Sequence, residues 1–348
     1  MMTMIAALFA GCGNAQNEKP KPGGVVTMGV EEFAGKMTDS RVLLVDVRTP
    51  KEYAEGHIAG AENIDMKSAD FVERVTAFRR RVAVYCRGGK RSLTAAKRLA
   101  AKGYTVYNLD GGILAWQKAG MPTTTVETDV FITPGGKLVK IHALMHSSIR
   151  IEYDGQNIYI DPCANLQGRT VDYAAMPKAD MILVTHEHFD HLDTATLRLL
   201  STEETRLVMN GRSAGMYGSG TVMANGERLQ LADDIAVEAV PAYNTTEGHR
   251  QFHPQGRDNG YLLTLDGLRI YIAGDTEDIP EMADLKDIDI AFLPCNQPYT
   301  MTPGQLVRAA RMLNPKVLFP YHYGETDVSG IPAQLRPDGI DVRIRHYE

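Results

Sequence analysis

One stretch, Thr185-His186-Glu187-His188-Phe189-Asp190-His191-Leu192-Asp193, constrains this chain more than any other. It follows Met181-Ile182-Leu183-Val184, a short uninterrupted apolar run of the kind that forms a buried strand. Four potential metal ligands, His186, His188, Asp190 and His191, therefore leave the end of one strand within six residues. In an extended loop His186 and His188 can turn to one side, while Asp190 and His191 turn to the other. That split suits two adjacent cations better than one. Imidazole and carboxylate form a borderline donor set that favours zinc, and manganese or iron also fit. A solvated cluster of surface histidines is the plainer reading. It is disfavoured because the loop follows a buried strand and later segments supply matching ligands.

His186-x-His188-x-Asp190-His191 resembles the signature of the metallo-β-lactamase superfamily, and the resemblance covers roughly Val130 to the C-terminus. It implies an αββα sandwich. The patterning agrees. Strand-like segments at 138–143, 148–153 and 157–160 form a meander, with Asp154-Gly155 as the hairpin turn between the last two. Further strands are expected at 207–209, 235–240, 260–265, 268–273, 288–293 and 317–320. A helix is expected over 302–313, with Leu306, Ala309, Ala310 and Leu313 on one face.

The resemblance also implies the remaining ligands. Asp275 follows the apolar run 270–273 and Gly274, a residue that lets the backbone approach closely; it matches the family's metal-bridging aspartate. His322 ends another strand in Pro320-Tyr321-His322-Tyr323-Gly324 and matches the last histidine, a ligand of the second metal. The family expects one more histidine between the lead motif and Asp275. Here Asn244 follows the strand ending Val240-Pro241-Ala242-Tyr243, where close relatives often place His. His253, in His253-Pro254-x-Gly256, is the choice, and His249 the alternative. The first site is then His186, His188 and His253, the second Asp190, His191 and His322, with Asp275 shared. Asp161 is expected to support a ligating histidine from behind. His146, before Ser147-Ser148, resembles the His-Ser turn of the ascorbate-6-phosphate lactonase-like branch, and either lines the pocket or is structural.

The first part of the chain, about 25–123, alternates strands and helices, as an α/β layered domain does. Val82-Ala83-Val84-Tyr85 is a parallel-type strand that runs into Cys86-Arg87-Gly88-Gly89-Lys90-Arg91-Ser92, and a helix is expected from about Ser92. Two glycines allow a tight loop with inward N–H groups, and the helix start and Arg87, Lys90 and Arg91 add positive charge. Such surroundings suit a nucleophilic sulfur and a bound anion. Asp46-Val47-Arg48-Thr49-Pro50-x-Glu52-Tyr53-x-x-Gly56-His57-Ile58-x-Gly60-Ala61, the Cys86 loop and Leu109-Asp110-Gly111-Gly112-x-x-Ala115-Trp116 together resemble a rhodanese. The resemblance implies a persulfide on Cys86, with Arg91 closing the loop and Arg87, Gly88, Gly89, Lys90 and Ser92 cradling the donor. Four residues lie between Cys86 and Arg91, as in sulfur-transferring members, which points to a sulfane donor such as thiosulfate rather than phosphate. Asp46 and Arg48 are expected to pair structurally, and His57 to serve a turn.

The fold class expected is α/β, a rhodanese-like domain (25–123) ahead of an αββα sandwich (130–348). The 348 residues are 44% hydrophobic, enough for two real cores. A net charge of −6 without a long basic run gives nothing for nucleic acid to bind. Residues 1–24 read as a targeting segment and tether. The apolar run 4–11 ends in Ala10-Gly11-Cys12, which resembles a bacterial lipobox, and 13–24 is polar and rich in Pro and Gly. The expectation is a lipoprotein of the cell envelope anchored through Cys12, with a cytoplasmic protein as the alternative. Cys163 and Cys295 show no paired spacing and read as small buried hydrophobes.

Taken together these features predict a hydrolase of an ester, lactone, thioester or phosphodiester using two metal ions, zinc first, with a sulfur-carrying rhodanese module. Two other readings compete. One is an iron-dependent persulfide dioxygenase. The other is a rhodanese-like binding module on a degenerate metal domain.

Overall fold

The computed structural model describes residues 23–37, 39 and 41–347. Cys12 and the expected tether up to residue 22 lie outside them. The first domain contains β1 (Val25–Met28), α1 (Val30–Met37), β2 (Val42–Asp46), α2 (Pro50–Ala54), β3 (Glu62–Asn63), α3 (Phe71–Ala77), β4 (Arg81–Tyr85), α4 (Lys90–Ala100), β5 (Val106–Leu109) and α5 (Gly112–Lys118). Its sheet is wholly parallel, in the order β1-β5-β4-β2-β3. The central strands read as continuous apolar runs because both faces are covered. Leu43 and Val45 enter one core with Val82 and Val84, whereas Val42 and Leu44 enter the opposite core with Ala83 and Tyr85. Thr49 caps α2 in a capping box with Glu52. Helix α4 begins at Lys90, earlier than the apolar spacing predicted, because Gly89 takes a left-handed conformation and turns the chain directly into the helix.

The second domain holds two seven-stranded sheets. The first is built from β6 (Thr128–Ile132), β7 (Leu138–Met145), β8 (Ser148–Tyr153), β9 (Gln156–Ile160), β12 (Met181–Val184), β13 (Arg206–Met209) and β14 (Thr221–Val222). A small hairpin, β10 (Asn165–Leu166) and β11 (Arg169–Thr170), stands apart, and α6 (Thr194–Leu200) and α7 (Gly211–Tyr217) follow β12 and β13. The second sheet runs in chain order through β15 (Arg228–Ala232), β16 (Ile235–Ala242), β17 (Asp258–Leu265), β18 (Leu268–Ile272), β19 (Ile290–Pro294), β20 (Val317–Tyr321) and β21 (Asp341–Val342). Asp154 and Gly155 both have positive φ, as the predicted hairpin turn requires.

Strand alternation shows the layers. Leu183 of β12 faces the core between the sheets, while Ile182 and Val184 pack outward against Leu197 and Leu200 of α6. On the far side, α8 (Pro303–Leu313) lays Leu306, Ala309, Ala310 and Leu313 on the second sheet. Thr302 and Gln305 form its capping box.

The domains meet through buried polar contacts. His57 stacks on Tyr53, with its ring nitrogens on the carbonyls of Tyr53 (2.9 Å) and Val126 (2.8 Å), so it serves the turn and the junction. Asp46 and Arg48 pair at 2.6 Å. Across the junction Glu62 accepts a hydrogen bond from Val130 N, and beside it, within the second domain, Asp129 accepts from Arg343 and Arg345. A cavity of about 590 Å³ opens beside them.

Candidate metal centre

The lead motif begins where β12 ends. Asp193 stops the loop by capping α6, accepting from the backbone N–H of Ala195 and Thr196. Behind the loop, the buried Asp161 at the end of the neighbouring β9 accepts from Thr185 N and Oγ1, at 2.7 Å each, and from His191 Nδ1 at 2.9 Å. The Thr185 hydroxyl in turn accepts from His186 Nδ1 at 3.0 Å. With both Nδ1 atoms engaged, His186 and His191 each present Nε2 to the cavity.

The later segments bring the matching groups. Gly274 has a φ of +64°, and a Cβ there would lie 2.8 Å from Asn259 O, so only glycine lets Asp275 enter at this level. Two donor groups result. His186, His188, His253 and Asp275 form one, and His146, Asp190, His191 and His322 the other; within each, the ligand atoms lie within 4.8 Å of one another. Asp275 faces both. Its Oδ2 is 3.4 Å from His253 Nε2 and 3.8 Å from His186 Nε2, while its Oδ1 is 3.3 Å from both His191 Nε2 and His322 Nε2.

The donor set fits metal ions. His191 Nε2, His322 Nε2 and Asp275 Oδ1 are buried without a hydrogen-bond partner. The ring nitrogens of His186 and His253 approach His188 Nδ1 to 3.0 and 3.2 Å. Lone pairs crowded in this way are reconciled by a cation. Burial pushes His186 well below the ordinary histidine range and His253 down to about 4, so both are neutral donors at pH 7. Burial also opposes charge on Asp275, but His322 and His191 outweigh it and hold the carboxylate ionised.

His253, not His249, stands in the first group. Its Nδ1 donates to Asn244 Oδ1 at 2.7 Å. Asn244 thus holds the imidazole that the neighbouring loop supplies. Glu277 anchors that loop, accepting from the backbone N–H and hydroxyl groups of Thr245 and Thr246. His249 lies against Glu277, with 3.5 Å between Nδ1 and Oε1. The sequence leaves His146 open between a pocket-lining and a structural role. The structure places its Nε2 3.2 Å from Asp190 Oδ2 and its ring 3.7 Å from that of His322, inside the second donor group. The available signal was an imidazole at the end of an apolar strand, the same context as the lead motif.

In the first domain, Cys86 is buried at the end of β4. Its loop packs on Gly112, where a Cβ would meet Cys86 O at 2.3 Å, and Ile113 N donates to that carbonyl. Arg87, Gly88 and Lys90 are exposed, and Ser92 is buried with its hydroxyl on Gly89 O. The structure pairs Arg91 with Glu52 in a two-pronged contact of 2.8 and 2.5 Å. The guanidinium expected to close the loop around an anion is therefore engaged by a carboxylate from α2.

A model of the beta-lactamase superfamily domain matches residues 140–322, more than half of the chain. The chain belongs to the metallo-β-lactamase superfamily. A rhodanese-like domain model matches residues 29–119. The chain resembles a UPF0173 metal-dependent hydrolase of Methanopyrus kandleri, 28% identical over 59% of this chain and 95% of that protein. Among solved structures, a metal-dependent hydrolase of Parabacteroides distasonis is 50% identical and covers 64% of this chain and all of its own, with a TM-score of 0.62. The metallo hydrolase Igni18 of Ignicoccus hospitalis is 25% identical over 60% of this chain and 94% of its own, with a TM-score of 0.50. The protein is thus a metal-dependent hydrolase of this superfamily with a rhodanese-like domain ahead of it.

Proposed function

We propose that the second domain is a binuclear hydrolase of an ester, lactone, thioester or phosphodiester, and that the first carries sulfane sulfur on Cys86. The observation that carries the first part is Asp275, whose two oxygens divide between two complete donor groups. Divalent cations there, zinc by the preference of the donors with manganese or iron also admissible, would supply Lewis acidity to the scissile group and acidify a water at neutral pH. The chain's own residues do the rest. Asp161, Thr185 and Asn244 fix the ligand tautomers. Asp190 is a half-buried carboxylate placed to orient the nucleophile or take its proton at Oδ2. Water adds across the scissile bond, so an ester yields its acid and its alcohol.

A persulfide dioxygenase with one iron would call for one complete donor group, and the second group favours the hydrolase reading. The reading predicts turnover within a panel of neutral esters, lactones, thioesters and phosphodiesters that is lost on chelation and restored by zinc or manganese. Oxygen uptake with a persulfide, and no hydrolysis of any panel member, would overturn it.

For Cys86 the proposed step is attack of the thiolate on the outer sulfur of thiosulfate. The S–S bond breaks, sulfite leaves with the electron pair, and a cysteine persulfide remains. We further propose an envelope location through a lipidated Cys12. A Cys12→Ala variant should then move from the membrane to the soluble fraction. No nucleic acid enters this reading.

A further inference from the structure

The cavity over the two donor groups has a volume of about 360 Å³, at the small end of the range for ligand pockets. One side of it is aromatic. Phe189 stands between His188 and Asp190 and is 76% exposed. A phenylalanine on a loop this constrained would ordinarily turn inward, so its exposure at the mouth leaves apolar surface for a ligand to cover. Phe252 and Tyr299 also line the cavity and pack edge to face, with ring centroids 5.0 Å apart. Both are tied to the donors. Phe252 immediately precedes His253, and Tyr299 O lies 3.1 Å from His253 Nδ1. Leu166 adds a further apolar contact.

Charge is distributed differently. Apart from the donor residues, the polar lining groups are Gln167, Asn296 and the Tyr299 hydroxyl, none of them a cation, and among the described residues no Lys or Arg lines the cavity. Cations at the donor groups would answer negative charge on the scissile group itself. A second anion, carried on the far end of a substrate, would meet aromatic rings and leave its water without a partner.

We propose that the part of the substrate remote from the scissile bond is apolar and uncharged, as in an aryl or alkyl ester, thioester or lactone, and lies against Phe189, Phe252, Tyr299 and Leu166. The proposal rests on the hydrolase reading and narrows it, away from sugar phosphates and other substrates with an anionic tail.

Hydroxamates, which anchor on metal ions, separate the two readings. The zinc-loaded full chain would be titrated calorimetrically with acetohydroxamate, with 3-phenylpropionohydroxamate and with a chain of similar length ending in a carboxylate. The phenyl compound should bind at least about 30-fold more tightly than acetohydroxamate and at least about 10-fold more tightly than the carboxylate compound. Phe189→Ala and Phe252→Ala should each remove most of that gain. With a phenylalkyl ester, Phe189→Ala should raise KM about tenfold and change kcat less than about threefold. Equal or tighter binding of the carboxylate compound, or a phenyl preference that survives both substitutions, would overturn the proposal. The expected binding order without turnover of any ester would support the apolar pocket and count against the hydrolase reading alone.

Discussion

The fold completes its two reactive centres to different degrees. Around Cys86 the guanidinium that ends the loop is already paired: Glu52 holds Arg91 from α2, and Gly112 packs against the loop carbonyls. In the metal domain, His191 Nε2, His322 Nε2 and Asp275 Oδ1 are buried beside one another without a hydrogen bond. A buried unpaired polar group costs about 1–3 kcal/mol, so a cluster of them is sustained by a ligand that satisfies it. The cysteine loop needs no resident ligand to hold its shape. The contrast separates a centre whose donors call for a cofactor from one for which transient covalent chemistry is proposed.

The largest expected effect tests the ligand assignment within the metal centre. His253→Ala should weaken metal binding at the first group and cut hydrolysis by at least about a hundredfold, whereas His249→Ala should stay within about threefold in steady-state assays. Similar losses from both would erase the distinction. Next comes the independence of the two centres. Cys86→Ser should abolish sulfite release from thiosulfate and leave ester hydrolysis within about twofold. Loss of hydrolysis would show that the centres are coupled. Removing a supporting contact should have a smaller effect. Asn244→Ala removes the nearer acceptor of His253 Nδ1 and leaves it Tyr299 O alone, and metal affinity measured by competitive chelation should fall about tenfold.

The smallest effect lies at the domain junction. Burial and the neighbouring Asp129 carboxylate push Glu62 up to about 7, although Arg343 and Arg345 oppose them. A carboxyl raised in the folded state contributes stability that is present below its ordinary value of 4.5 and lost as pH rises through about 7. Thermal unfolding should therefore show Glu62→Gln matching the wild type near pH 5 and exceeding it near pH 8, by on the order of 1–2 kcal/mol. A constant difference across that range would place the titration elsewhere.

Much of this architecture was legible because burial leaves a local trace. Parallel and inter-sheet strands such as β4 and β12 are continuous apolar runs, and the residues at their ends, Cys86 and His186, stand where chemistry is commonly placed. The lead motif carries four donors in sequence. Other features depend on contacts distant along the chain. Arg91 meets Glu52 from 39 positions away. His146 joins Asp190 from 44 positions away, and its own backbone takes a φ of +55° that the local pattern does not reveal. That His253 rather than His249 reaches the first donor group depends on a loop whose path rests on Glu277 and Asn244, and neither residue announces that role locally.

Under the proposed function Asp275 would join two metal ions. The most direct test is metal content per chain, by inductively coupled plasma mass spectrometry after equilibration with zinc and desalting, for the wild type and for Asp275→Ala. About two zinc ions are expected for the wild type and loss of both in the variant. One ion in the wild type, or two retained in the variant, would contradict it.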